Sequence, residues 1–299
     1  MSEENVILGI DGGAGKNIVG TVVVRELRKK YPDKQIIVMT GWPDIFKFNP
    51  NVDRVFRFDN AAYFYDQYIA NGKGLFFKTE PYYSSDYILK KKHIAEVWCD
   101  QLGLPCESIV PELFVTKDED KAAKEFIENK EKPSLLIQHT GGMYTTDPNV
   151  KKTFYTRDIP VDVAQSVGNI MSKTHHIFVA GYAEHFVWEN AERLSFPLRS
   201  EIALLPYIDK FVLIDSLFQH ATAAMHKQAV VCWSGTSPDV LGYSSHINLR
   251  HEVCKTPECH RPNTYLYDFG VNKDNFWECP YDRVCKDYTA NEILEALGV

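Results

Sequence analysis

The sequence predicts an α/β protein built on parallel sheets, and three observations lead there. Short apolar runs alternate with segments of helical period. The runs end at turn-forming or hydroxyl residues, and the alternation restarts after Lys130-Glu131-Lys132-Pro133. Strand, helix, strand in this order reads as βαβ units, whose crossovers lay helices on both faces of a parallel sheet. A chain of 299 residues exceeds the usual reach of one core, so the restart is taken as a domain boundary, giving 1–130 and 131–299.

In the first half, Val6–Ile10 is an apolar strand that ends at Asp11-Gly12-Gly13-Ala14-Gly15. Ile18, Val19, Val22, Val23 and Leu27 then repeat at helical spacing, and the basic tail Arg25 to Lys30 suits a last helical turn. Pro32-Asp33 turns the chain into a second strand, Gln35–Thr40. Val52–Phe58 and Leu75–Phe77 read as strands, and Ala61–Asn71, Asp86–Leu102 and Asp118–Asn129 as helices. In the second half, Leu135–His139 is a strand leading into Thr140-Gly141-Gly142. Pro160–Ser172 is a helix, and His175–Ala180 a strand leading into Gly181. Glu184–Leu194 and Glu201–Tyr207 read as helices. Phe211–Ile214 and Ala229–Trp233 are strands bracketing a short helix that carries His220. Thr289 to Glu292 is a capping box opening a helix over Asn291–Leu297.

Ligands of parallel sheets sit at the carboxyl ends of the strands, where Asp11, Thr140, Gly181, Asp215 and Ser234 fall. The stretch from Phe211 to Gly235 is the most informative. A strand that ends in Asp215-Ser216 where a helix begins sets uncommitted backbone N–H groups beside a carboxylate, a hydroxyl and the His220 imidazole. That suits a phosphorylated ligand; equally, Asp215 or Ser216 reads as an ordinary helix cap.

Composition narrows the classes. Apolar content of 44% with 24% charged residues describes an ordinary soluble globular protein. No apolar run is long enough to span a bilayer and the N-terminus lacks a secretory pattern, so a cytoplasmic location is expected. A net charge of −7 argues against broad binding to nucleic-acid backbones, leaving open a local groove at Lys90, Lys91, Lys92 and His93 or at Lys151 and Lys152. Seven cysteines, an odd number, do not form a disulfide framework.

Gly12 to Lys16 invites a phosphate-loop reading, but the spacing fails: counting back from Gly15-Lys16 lands on Ile10, and Asn17 replaces the hydroxyl residue. The dinucleotide fingerprint fails as well, since Ile18 stands where its third glycine belongs. What survives is a turn able to bring backbone close to a ligand, which makes Gly13 and Lys16 candidate donor contacts. Asp118-Glu119-Asp120 matches a D-x-D metal pattern in letters only; it opens a helix, where acids favour the dipole.

Several segments together resemble glycosyltransferase family 9, the heptosyltransferase-like enzymes of the GT-B fold. Ile214 to Met225 is similar to that family's Asp-Ser/Thr-Gly-x-x-His-x-x-Ala-Ala-Leu segment, and Gly235-Thr236-Ser237-Pro238 to its Gly-x-Thr-x-Pro loop. Gly12–Leu27 resembles its glycine turn and first helix, Asn49 to Val55 its Asn-Pro-x-Val-Asp-x-Val, and Cys254 to Cys285 its C-terminal cysteine pattern. Tyr63-Phe64-Tyr65 and Glu80-Pro81-Tyr82-Tyr83 resemble an uncharacterised, phage-associated branch.

The resemblance implies two Rossmann-like domains facing a cleft, with a sugar moved from a nucleotide-diphosphate donor in the C-terminal domain to an acceptor hydroxyl held by the N-terminal one. Transfer would be metal-independent and inverting, with no cofactor beyond the donor. Matched by position, Asp215, Ser216 and His220 would contact donor phosphates and sugar. Thr140, Gly141 and Gly142 would contact the diphosphate, Lys152 or Arg157 would supply a cation, and Glu184, following Gly181, would meet the ribose. Two departures matter. The family's catalytic Asp, after the glycine of its first loop, is here Lys16, and Leu217 replaces the helix-opening glycine. A substitute base must be a carboxylate or histidine able to reach the acceptor; Asp11 comes first, then Glu80 and His93, although Asp11 also reads as a helix-capping acid.

Cys254, Cys259, Cys279 and Cys285 give C-x4-C-x19-C-x5-C, four thiols that could hold a structural zinc or stay reduced. The acceptor is left open among a glycan, a lipid-linked sugar and modified DNA. Two rival functions stand beside the transferase: a phage-type enzyme glycosylating hydroxymethylated bases in DNA, and a non-catalytic sugar-nucleotide or glycan-binding protein.

Overall fold

The computed structural model describes residues 5–141, 157–181, 188–251 and 284–299. The chain divides into two compact units, Met1–Glu119 and Asp120–Val299.

The strands of the first unit are β1 (Asn5–Ile10), β2 (Gln35–Thr40), β3 (Arg54–Arg57) and β4 (Gly74–Phe77), all parallel in the order β3-β2-β1-β4. Every residue of β1 is buried, as expected of a central parallel strand with both faces covered. Helix α1 (Ala14–Lys30) is the crossover between β1 and β2; its apolar residues Ile18, Val19, Val22, Val23 and Leu27 are all buried.

The single helix expected over Asp86–Leu102 is two, α2 (Ser85–Ile88) and α3 (Ile94–Gln101). Lys90 takes a left-handed φ of 55°, and the lysines at 90–92 offer the core no apolar side chain. A capping box then restarts the helix: the His93 ring accepts the Ala95 N–H at 3.2 Å, and the Glu96 carboxylate accepts the His93 N–H at 2.8 Å. The helix expected over Ala61–Asn71 is a π-helix over Tyr65–Ile69 and a 3-10 turn over Ala70–Gly72. Phe64 and Tyr68 set this irregular path by closing on Phe56, with ring centroids 5.1 and 5.5 Å away.

Helix α4 (Lys117–Glu128) runs into the second unit, so the division falls inside it, ahead of the expected boundary at 130/131. The Tyr207 hydroxyl donates to Asp120 Oδ1 at 2.6 Å, Phe126 packs on Phe178 and Phe196, and Lys130 pairs with Glu192 at 2.7 Å.

The second sheet holds β5 (Ser134–Ile137), β6 (His176–Ala180), β7 (Ala191–Leu194), β8 (Lys210–Ile214), β9 (Val230–Trp233) and β10 (Ile247–Arg250). All are parallel, in the order β10-β9-β8-β5-β6-β7. Its helices are α5 (Val161–Met171), α6 (Leu198–Leu204), α7 (Leu217–Ala224), α8 (Pro238–Leu241) and α9 (Ala290–Ala296). The helix expected over Glu184–Leu194 ends as strand β7; 182–187 lie outside the described residues. β7 and the unexpected β10 are the two sheet edges. Charged Glu192 and Arg193 protect one edge from further pairing and disguise it as a solvated helix.

α9 packs on α5, so the final helix belongs to the second unit. Its Ile293, Leu294 and Leu297 join Leu135, Val167 and Ile214 in one core. The predicted Thr289–Glu292 capping box is present, and the Tyr288 hydroxyl donates to the carbonyls of Trp233 and Leu249, pinning the segment to β9 and β10.

Candidate functional site

Two groups of residues collect at the carboxyl ends of the strands, one in each unit. In the second unit, β8 delivers Asp215 and Ser216 to the start of α7. Ser216 is the N-cap residue by position, yet its side chain caps nothing; its hydroxyl instead accepts from Gln138 Nε2 at 3.3 Å. The first N–H groups of α7 therefore keep their capacity for an anion. Asp215 is buried and paired with Arg157, whose Nη1 donates to the Asp215 carbonyl at 2.8 Å and stands 3.4 Å from Oδ2.

Arg157 reaches this corner because the chain at 157–159 runs beside the end of β5. The Ile159 N–H donates to the His139 carbonyl at 2.9 Å, and Asp158 Oδ1 accepts the Gly141 N–H at 3.1 Å. Gly141 is needed here: a Cβ on it would lie 3.1 Å from Ile214 Cδ1 and 3.4 Å from Ser216 Oγ. Thr140, Gly141, Arg157, Asp215 and Ser216 are thus brought together as the sequence suggests, and Gly181 ends the neighbouring strand β6. Three buried polar atoms around this edge, Gln138 Oε1, Thr140 Oγ1 and Thr236 Oγ1, have no hydrogen-bond partner among the described residues. Buried polar atoms are almost always paired, so atoms left this way mark where a polar ligand fits.

His220 is buried more deeply than its candidate role suggests. Its Nδ1 lies 2.9 Å from the Tyr243 hydroxyl, and burial pushes its pKa down to about 4, so the ring is neutral at physiological pH. Its Nε2 lies 3.0 Å from Gln219 Nε2, so both ring nitrogens have neighbours within the protein and the ring carries no charge. Gly142, Lys152 and Glu184 lie outside the described residues, as do Cys254, Cys259 and Cys279. Cys285 sits half-buried in a 3-10 turn over Val284–Lys286, and the described residues contain no cluster of His, Cys, Asp and Glu able to hold a metal.

In the first unit, Asp11 ends β1, and Gly12 adopts the left-handed φ of 86° that lets α1 begin at once. Lys16, one turn into α1, is buried and points back at this edge. Its ammonium lies 2.9 Å from Asp11 Oδ1 and 2.6 Å from Glu80 Oε2, with the Trp98 and Tyr82 rings 5.6 and 5.7 Å away. Lys78 adds a second cation 3.2 Å from Asp11 Oδ2. Burial raises the Asp11 carboxyl, but hydrogen bonds and charges from Lys16 and Lys78 outweigh it and hold the group below the usual carboxylate range. Asp11 and Glu80 are thus joined through Lys16, the residue that departs from the family pattern, and Gly13 is the uncapped start of α1.

His93 stands apart in role, since its Nδ1 caps α3. Of the expected basic groove, Lys91 and Lys92 are matched by Asp86 and Asp100 at 3.9 and 2.6 Å. Trp42 was not anticipated. Its indole N–H donates to the Gly12 carbonyl at 3.1 Å, and its backbone N–H to Thr40 Oγ1 at 2.9 Å; Thr40 in turn donates to buried Asn17. The usable signal was its position, two residues past the end of β2. No described helix is long and apolar enough to cross a membrane.

No protein-family model matches the chain, and no curated protein matches its sequence. Solved structures do match its fold. A glycosyl transferase family 9 protein from Veillonella parvula superposes with TM-score 0.70 at 12% identity, over 100% of this chain and 97% of that one. The E. coli ADP-heptose lipopolysaccharide heptosyltransferase II gives 0.65 at 12% identity, over 99% and 97%. The E. coli heptosyltransferase WaaC with ADP gives 0.58 at 11% identity, over 98% and 99%. The chain therefore has the GT-B fold of the family 9 heptosyltransferases over its full length, as its sequence motifs suggest. The phage-associated branch finds no support in these likenesses.

Proposed function

We propose that the protein is a nucleotide-sugar-dependent glycosyltransferase whose second unit binds the donor. The observation that carries the reading is the edge of the second sheet: an uncapped helix N-terminus, the Arg157–Asp215 pair and three buried polar atoms without partners among the described residues meet at one corner of a GT-B fold. The diphosphate docks on the first N–H groups of α7 and the β5 loop, with Arg157 as its cation and Lys152 as a further one. Glu184 takes the ribose. Asp215 acts through Arg157 by holding its guanidinium in place.

Transfer is a direct, inverting displacement that needs no metal. The acceptor oxygen forms a bond to the anomeric carbon as the bond to the donor phosphate oxygen breaks. The acceptor proton passes to a carboxylate, and the departing nucleoside diphosphate keeps the electron pair, its charge met by N–H donors and Arg157. Asp11 is that base. The negative charge that the family carries at the position of Lys16 returns five residues earlier in Asp11, just past β1, with Lys16 fixing the carboxylate. Glu80 bonds the same lysine and is the reserve base; His93, committed to a helix cap, is the weakest candidate.

One observation favours a second reading, a sugar-nucleotide-binding protein without turnover: Asp11 is closed in by two lysines that lower its basicity. Melting temperature measured against UDP-, ADP-, GDP- and CMP-linked sugars tests binding. ADP-linked donors come first because a heptosyltransferase of this fold is seen with ADP. A donor at a hundredfold excess over its Kd stabilises the protein by about 3 kcal/mol; no shift with any of them sinks both readings. Release of nucleoside diphosphate that Asp11→Asn abolishes selects the enzyme, and binding without release selects the second reading.

A further inference from the structure

The transferase reading leaves the acceptor unnamed, and the first unit carries features that bear on it. Three aromatic rings are exposed at or near the carboxyl edge of the first sheet: Trp42 past β2 at 39%, Phe58 past β3 at 42% and Phe76 on β4 at 43%. A Cβ on Gly9 would lie 3.3 Å from Phe76 Cζ and 3.6 Å from Lys78 Cγ, so the buried glycine is what lets the Phe76 ring and the Lys78 stem settle against β1. Lys78 ties the far wall to the carboxylate: its ammonium is 5.6 Å from the Phe58 ring centroid and 3.2 Å from Asp11 Oδ2. Trp42 is tied to the opposite side through its bond to the Gly12 carbonyl.

Large aromatic faces left in water beside a half-exposed carboxylate match one ligand chemistry well. A pyranose ring has an apolar C–H face that stacks on aromatic rings and a rim of hydroxyls that donate to carboxylates. Charge argues against a polyanion. Lys16 and Lys78 are matched by Asp11 and Glu80, Arg57 by Asp59 at 3.0 Å and Lys47 by Asp44 at 2.5 Å, so a phosphate backbone would meet as many carboxylates as cations.

We infer that Trp42, Phe58 and Phe76 form a stacking shelf for a neutral glycan acceptor, presenting one of its hydroxyls to Asp11. The inference rests on the transferase reading only for the word acceptor, because the shelf binds glycan whether or not transfer follows. Saturation-transfer NMR on the full chain, with neutral cello-, malto-, chito- and manno-oligosaccharides and separately with a DNA duplex, tests it. One neutral series is expected to receive saturation on its ring C–H protons. Trp42→Ala and Phe58→Ala each weaken that binding roughly tenfold, Trp42→Phe restores most of it, and Gly9→Val abolishes it. The melting shift given by the nucleotide-sugar donor stays intact in Trp42→Ala and Phe58→Ala. No binding of any neutral series, binding indifferent to the ring variants, or preferential binding of DNA overturns the inference. Glycan binding without a donor shift overturns the transferase reading and leaves the shelf standing.

Discussion

The two strand-end sites differ in how complete they are. In the first unit most polar groups satisfy one another: Lys16 bridges Asp11 and Glu80, Asn17 accepts from Thr40, and Trp42 closes on Gly12, while Thr79 Oγ1 and Trp98 Nε1 keep no partner among the described residues. Both helix starts lack a side-chain cap; in the second unit three residues of the strand ends, Gln138, Thr140 and Thr236, keep buried atoms without partners among the described residues. A network that closes on itself favours a fixed surface, whereas one with vacancies favours a polar ligand that fills them. On the proposed reading, the charged donor goes to the second unit, where more hydrogen bonds are left unmade.

The sharpest attempt to break the comparison removes the Arg157–Asp215 charge pair in the second site. Asp215→Ala strands Arg157 in a buried corner and is expected to cost about 3 kcal/mol or more, read by urea unfolding, and to remove the donor melting shift. Acid is nearly as severe. The folded pKa of His220 is pushed down to about 4 from an ordinary 6.5, so below pH 6.5 the unfolded state binds the extra proton and stability falls as pH drops toward 4. The loss is about 3 kcal/mol from this residue. Burial works in the opposite sense on Glu201, pushing its carboxyl up to about 7, so its contribution is lost as pH rises from 4.5 through 7. The two partly cancel, and unfolding of His220→Gln against wild type across pH 4 to 6.5 isolates the histidine; an unchanged difference refutes its neutral burial.

A matched pair of substitutions then sharpens the contrast. Asn17→Leu breaks two made hydrogen bonds in the first unit and is expected to cost about 2 kcal/mol. Gln138→Leu gives up one long hydrogen bond to Ser216 together with an unmet acceptor, and is expected to cost less, about 0.5 kcal/mol, while weakening donor binding. Equal losses erase the distinction between the sites. The smallest effect is expected at Lys16→Met. Removing this cation lets the Asp11 carboxyl rise, so the acid limb of kcat/KM moves to higher pH while the donor Kd is unchanged.

Much of the fold was legible because buried parallel strands are continuous apolar runs: β1, β2, β8 and β9 are within a residue of where the sequence put them. The edges were not. β7 carries Glu192 and Arg193, and half-buried β10 offers no apolar run, because an edge strand is selected for solvent and against pairing. Helix α2 separates from α3 at a lysine run that a period search reads straight through. Legibility of the sites followed the same logic. Asp11, Thr140, Asp215 and Ser216 lie at strand ends as the sequence places them, because strand ends are readable. The joining of Lys16 to Glu80 was not, since it depends on where β4 docks against β1. Trp42 and Phe58 were missed because an isolated aromatic past a strand end looks like any loop residue until its neighbours are known.

The contribution of Tyr288, Ile293, Leu294 and Leu297 to the second core bears on the order in which the protein assembles on the ribosome. The first unit has all its strands and helices α1 to α3 once residue 104 has cleared the exit tunnel, and it can fold while synthesis continues. The second cannot bury Ile214 or Val212 properly until the last helix arrives, and its sheet waits half-dressed through the translation of some forty further codons after β10. Nascent chains stalled in that interval are the ones a chaperone would have to hold.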